Sequence, residues 1–195
     1  MNAGAGRATR VIFDRELNRA AVKVQPGQYF VCADDRAIVT VLGSCVAACL
    51  RDPATGIGGM NHFMLPGVEG RLPAGADALR YGTRAMEVLI EEMITAGAQR
   101  ASLVAKVFGG ARLIGSADAA GVGARNAGFV CEDLARRGIV IVAADLRGAW
   151  GRRLAFFPSS GLVLIKRVHM GREATSNVLD GDGEPPLDGA PLTRL

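Results

Sequence analysis

Cys45 closes the stretch "TVLGSC", and His62, one of only two histidines in the chain, follows 17 positions later. A cysteine attacks as its thiolate, and an imidazole within reach is the usual group to take the proton. Gly43 allows a sharp turn ahead of Ser44 and Cys45, setting the thiol at the end of an apolar strand where a substrate can meet it. Backbone N–H groups of that turn are then available to a developing oxyanion. A third group must orient the imidazole, and Thr40, Asn61 and a backbone carbonyl are the candidates. Gly43, Ser44 and Asn61 would line such a site. The plainer reading is that Cys45 packs as a small hydrophobe, as free cysteines commonly do.

The other chemistry-bearing residues read as structural. Cys49 shares the face of Cys45 deeper in the strand and belongs to the core, and Cys32 and Cys131 are core residues too. The C-x3-C pair of Cys45 and Cys49 has no second pair after it, and no histidine stands at zinc-finger spacing, so neither a metal site nor a disulfide framework is expected. His169 falls at the end of the last strand, as a surface residue. "FGGARLIG" has the look of a phosphate-cradling loop, but no Gly-Lys-Ser/Thr follows; it reads as a strand-ending turn beside the site. No cofactor is expected.

Positioning falls to the surrounding elements. "QYFVCA" and "AIVTVL" are β-branched apolar runs, hence strands, separated by "DDR". "VAACLRD" and "GIGGMNHFML" flank "DPATG", whose Pro and Gly predict a hairpin. A four-residue loop over Asp52–Thr55 sets Arg51 opposite Gly56 and, further along, Cys45 directly opposite His62. "DALRYGTRAMEVLIEEMITAG" places Leu79, Ala85 or Met86, Leu89 and Met93 at helical spacing, with Gly97 as the C-terminal cap. "ASLVAKVFGG" is a strand, and "GVGARNAGFVCEDLARRG" a second helix stopped by Gly138. "IVIVAADL", "RRLAFFP" and "GLVLIKRV" complete a mostly antiparallel or mixed sheet with two covering helices, an α/β or α+β layered sandwich.

Length suits one domain over residues 21–170, between a weakly ordered segment (1–20) and a flexible Gly/Pro/Asp-rich tail (171–195). Apolar residues make up 49% and charged residues 22% of the chain, an ordinary globular balance. The net charge of +4 is scattered, with neither a basic stripe nor an aromatic platform for nucleic acid. No apolar run reaches the roughly 20 residues of a membrane span, and no secretory h-region opens the chain, so a cytoplasmic protein with free thiols is expected.

With these residues in place, "TVLGSCVAACLRDPATGIGGMNHFMLP" resembles the signature of the CheD family, chemoreceptor glutamine deamidases of bacterial and archaeal chemotaxis. "VQPGQYFV", "AKVFGGA", "VGARN" and "GLVLIKRV" agree in order, so the resemblance covers about residues 21–170. It implies a three-layer α/β/α sandwich and hydrolysis of receptor glutamine side chains to glutamate with release of ammonia. It also implies a Cys-His-Thr triad, which falls on Cys45, His62 and Thr40, with methyl-accepting chemotaxis receptors as protein substrates. The phosphatase CheC is an implied partner. In "DLRGAWGRR" the chain departs from the family, since Arg147 stands where the first of two glycines is expected. Two rival readings are another cysteine amidase or a receptor methylesterase on the same dyad, and a non-catalytic module that binds receptors or CheC.

Overall fold

A computed structural model describes residues 6–67, 75–112, 121–169 and 192–195. Among these residues eleven strands and two α-helices form an α+β sandwich with mixed sheets. The strands are β1 (Val11–Asp14), β2 (Arg19–Lys23), β3 (Gln28–Cys32), β4 (Ala37–Leu42), β5 (Val46–Arg51) and β6 (Gly58–His62), then β7 (Val104–Gly109), β8 (Val140–Leu146), β9 (Gly151–Phe157), β10 (Leu162–Val168) and β11 (Thr193–Arg194). Helix α1 spans Gly82–Thr95 and α2 spans Val122–Arg136. One sheet runs β1-β2-β4-β9-β10-β11 and the other β3-β6-β5-β7-β8. Among the described strands only the β2/β4 and β7/β8 pairs are parallel. Among the described residues no helix is long and apolar enough to cross a membrane.

Both helices cover the same face of the five-stranded sheet, and the six-stranded sheet packs on its other face. The layers therefore run helices, sheet, sheet, a layered α+β sandwich in which both helices lie on one side, where the resemblance implied α/β/α. Alternation along β5 shows it: Val46, Ala48 and Leu50 join Met86, Leu89, Val130 and Leu134 under the helices. Ala47 and Cys49 turn the other way, to Ile38, Leu42, Leu154 and Phe156 of the six-stranded sheet. A strand buried on both faces reads as a continuous apolar run, which is why "VAACL" lacks polar alternation. Cys49 is core, as expected; Cys32 and Cys131 are partly buried at the margins of the two cores.

The helix ends follow their glycines. Gly97 donates to the Ile94 carbonyl at 2.9 Å and Ala98 to Met93 at 2.9 Å. Gly138 and Ile139 repeat the pattern on Ala135 and Leu134, each at 3.0 Å. These are Schellman caps. The helical pattern expected from residue 77 onward is broken at Tyr81, which is extended (φ −97°, ψ 132°), so Leu79 packs from a separate 3-10 turn, Gly75–Arg80.

The N-terminal residues depart from the weak order expected of 1–20. β1 and β2 form a hairpin whose turn carries Asp14 and Glu16 over the outer face of the six-stranded sheet. There Asp14 pairs with buried Arg153 of β9, and Glu16 lies 3.1 Å from Arg153 and 3.3 Å from Lys166 of β10. Buried cations need such partners, and these lie more than a hundred residues away, so no local period announces the hairpin. Of the tail, residues 170–191 lie outside the described ones, as do residues 113–120 after "FGGAR"; Thr193–Arg194 pair with β10.

Arg147 adopts φ +66°, the left-handed region that favours glycine, while its N–H donates to the Gly109 carbonyl at 2.8 Å. Its side chain is exposed. Arg147→Gly is therefore expected to leave stability unchanged or raise it by up to about 1 kcal/mol, strain relief being partly offset by glycine's larger unfolded entropy. Arg147→Val should lose about 1–2 kcal/mol, because β-branching is least tolerated there. Urea midpoints test this; equal midpoints for the two variants would rule the strain out.

Candidate active site

The chain passes from one sheet to the other through Gly43, Ser44 and Cys45, between β4 and β5. Thr40 thus lies in the six-stranded sheet and His62 in the five-stranded sheet, with Cys45 at the crossover. The hairpin register differs from the expected one. Arg51 pairs with Gly58 and Cys49 with Met60, and Val46 bridges Phe63, so His62 lies opposite Ala47 and diagonal to Cys45. The loop is two residues wider than four because Asp52 organises it. Its carbonyl accepts from Gly56 at 2.9 Å, its N–H donates to Ile57 at 2.8 Å, and its carboxylate accepts from Ala54 and Gln99, each at 2.9 Å. A shift of two residues preserves the face, whereas a shift of one would have reversed it. Cys45 and His62 therefore both face the second sheet.

There His62 meets Thr40. The Thr40 hydroxyl lies 2.9 Å from His62 Nδ1 and 2.7 Å from the Val24 carbonyl. The carbonyl can only accept, so the single hydroxyl proton goes to Val24 and Nδ1 must carry the other. That tautomer leaves the lone pair on Nε2, which has no hydrogen-bond partner among the described residues. An imidazole oriented through Nδ1 and unengaged at Nε2 is built to accept a proton.

Both members of the dyad are neutral at neutral pH. Burial lowers His62 to about 4, against a smaller opposing effect of the Val24 carbonyl. Burial of the sulfur pushes the Cys45 thiol up to about 12, although the residue keeps some exposure. Hydrogen bonding by its own backbone acts in the opposite, smaller sense and favours the thiolate. At rest the thiol keeps its proton and the imidazole carries no second one.

Asn61 does not belong with this cluster. Side chains alternate along β6, so Asn61 points to α1, where its Oδ1 accepts the Ala48 N–H at 3.0 Å and its Nδ2 approaches the Met86 sulfur at 3.3 Å. It fills a gap in the β5/β6 ladder. Gly43 and Ser44 stand at the crossover, each held by its carbonyl: Gly43 accepts from Ala111 at 2.9 Å and Ser44 from Asn126 Nδ2 at 3.0 Å. The Cys45 carbonyl accepts from Gly110 at 2.8 Å. "FGGA" thus backs the Gly43–Cys45 turn. Gly109 has φ +109°, and a Cβ there would lie 2.2 Å from the Cys45 carbonyl oxygen, so no side chain fits. His169 is exposed and packs edge-on to Trp150.

Two participants escaped the sequence. The Val24 carbonyl has no side-chain signal at all. Asn126 had one: it shares a buried helix stripe with Gly123, Ala127, Val130 and Leu134, where an amide must have a specific partner.

The profile of a family described as CheD chemotactic sensory transduction matches residues 64–167. A protein of Dechloromonas aromatica (strain RCB), "Probable chemoreceptor glutamine deamidase CheD 1", is 48% identical over 185 residues, 95% of this chain and 92% of that one. "Probable chemoreceptor glutamine deamidase CheD" of Herminiimonas arsenicoxydans is 52% identical over 163 residues, 83% of this chain and 80% of its own. The protein of that name from Cupriavidus metallidurans is 48% identical over 166 residues, covering 83% and 74%.

Proposed function

The chain belongs to the CheD family, and on that premise we propose that it is a chemoreceptor glutamine deamidase with Cys45 as nucleophile, His62 as general base and Thr40 as the residue orienting His62. The observation that carries the residue roles is the Val24–Thr40–His62 chain, which leaves Nε2 free on the face that Cys45 shares. As the Cys45 sulfur attacks the glutamine Cδ, its proton passes to Nε2 and the carbonyl electrons become an oxyanion held by backbone N–H groups of the Ser44–Cys45 turn. The imidazolium returns the proton to the amide nitrogen, which leaves as ammonia, and a thioester remains. Water, losing a proton to Nε2, attacks the thioester; the sulfur leaves, takes the proton back, and glutamate is released. No step calls for a metal or an organic cofactor.

A glutamine on a receptor helix must reach Cys45 from the surface, in keeping with the partial exposure of that residue. The enzyme would then work in the cytoplasm, on the helices of methyl-accepting receptors. A CheC-type phosphatase bound across the same mouth would compete with the receptor.

The test is to incubate a receptor cytoplasmic fragment with the protein and follow ammonia together with the gain of about one dalton that exchange of –NH2 for –OH gives. Free glutamine should be a poor substrate. An unchanged fragment mass would overturn the reading. Preferential hydrolysis of a receptor glutamyl methyl ester would replace it with a methylesterase, and receptor capture without turnover with a binding module.

A further inference from the structure

The Ser44 carbonyl and the Cys45 N–H belong to one peptide group. In a trans peptide they point in opposite directions, so whatever holds the carbonyl aims the N–H. Asn126, fully buried on α2, supplies that hold: its Nδ2 donates to Ser44 at 3.0 Å and, through its other hydrogen, to Met64 at 2.8 Å. One amide thereby ties the nucleophile turn to the segment two residues beyond His62, past the end of β6. The Cys45 N–H accordingly points away from Asn126, as a donor for the oxygen of a carbonyl under attack by the adjoining sulfur. The neighbouring peptides are held the same way, Gly43 by Ala111 and Cys45 by Gly110, but by backbone donors rather than a side chain. Asn126 is the side chain in the set.

We propose that Asn126 is a positioning residue for the oxyanion hole: by holding the Ser44 carbonyl it aims the Cys45 N–H at the oxygen of the tetrahedral intermediate. This rests on Cys45 as the nucleophile. Asn126 touches neither substrate nor sulfur, so its loss acts on the transition state through the backbone.

Two reactions of Cys45 separate this role from a general structural one. Deamidation builds an oxyanion; alkylation by iodoacetamide consumes the same thiol without one. Asn126→Ala and Asn126→Asp both remove the donor, the latter with little change of size. In either, kcat on the receptor fragment is expected to fall about 100-fold, the usual effect of losing one oxyanion donor. KM and the Cys45 alkylation rate, read by mass spectrometry, should stay within about threefold. A kcat within threefold of the parent in a folded variant overturns the proposal. So does a parallel fall in alkylation and deamidation, or failure of both variants to unfold cooperatively, since each assigns Asn126 to the fold instead. Cys45→Ala run alongside keeps the two readings apart. Turnover retained there removes the nucleophile assignment, whereas turnover lost there but kept in Asn126→Ala removes only the role of Asn126.

Discussion

Cys45→Ala is expected to release no measurable ammonia from a receptor fragment, a loss on the order of 10⁴-fold or more in kcat. The reason is chemical rather than structural: without the sulfur there is no covalent path, and water must attack an unactivated amide directly. The fold should survive. Cys45 is partly exposed at the edge of the inter-sheet core, so truncation to Ala removes one sulfur from a margin and costs about 1 kcal/mol or less. Receptor capture should persist, because Cys45 contributes chemistry and little contact area. Ammonia release, fragment mass and thermal unfolding measured on one preparation decide the matter. Undiminished turnover with an intact fold would remove Cys45 from the mechanism.

His62→Gln should bring the second-largest loss and a change in pH dependence that identifies its cause. With the thiol near 12, only roughly one part in 10⁴ to 10⁵ is thiolate at pH 7.5 without a base. The variant's activity should therefore rise about tenfold per pH unit through the alkaline range as hydroxide replaces the imidazole. The parent should be flat there and stay active down to about pH 5, since His62 near 4 remains neutral. A limb near 6.5 in the parent would contradict the buried, neutral imidazole. The same burial predicts a stability slope. Unfolded, His62 binds a proton below its ordinary 6.5; folded, it does so only near 4. Stability is thus fully present above pH 6.5 and falls by about 3 kcal/mol as the pH drops toward 4. His62→Gln should lack that increment of acid sensitivity.

How much of this was legible beforehand differs from element to element. The strands around Cys45, both helices and their glycine stops could be read because each rests on local period or local cap chemistry. The facing of Cys45 toward the side of His62 was legible even though the register was not. Two extra loop residues changed the partner of Cys45 but not its face. Asn61 illustrates the opposite outcome: one residue from His62 in sequence, it was a candidate to orient the imidazole, and alternation sends it to the helix side. The N-terminal hairpin escaped because its anchors, Arg153 and Lys166, come from the other end of the chain.

The sequence by itself determined which atoms could do chemistry, that an α+β layered sandwich would carry them, and through its motifs the CheD resemblance. Only the tertiary structure decided who serves the imidazole. Thr40 reaches His62 from the opposite sheet, and Val24 fixes the tautomer with a carbonyl that every residue possesses. Asn126 arrives from a helix more than eighty residues beyond the turn it holds. Composition and period describe a residue against its own neighbours along the chain. A hydrogen bond between sheets, or from a helix to a turn, depends on packing that brings distant segments together, and no local pattern encodes it.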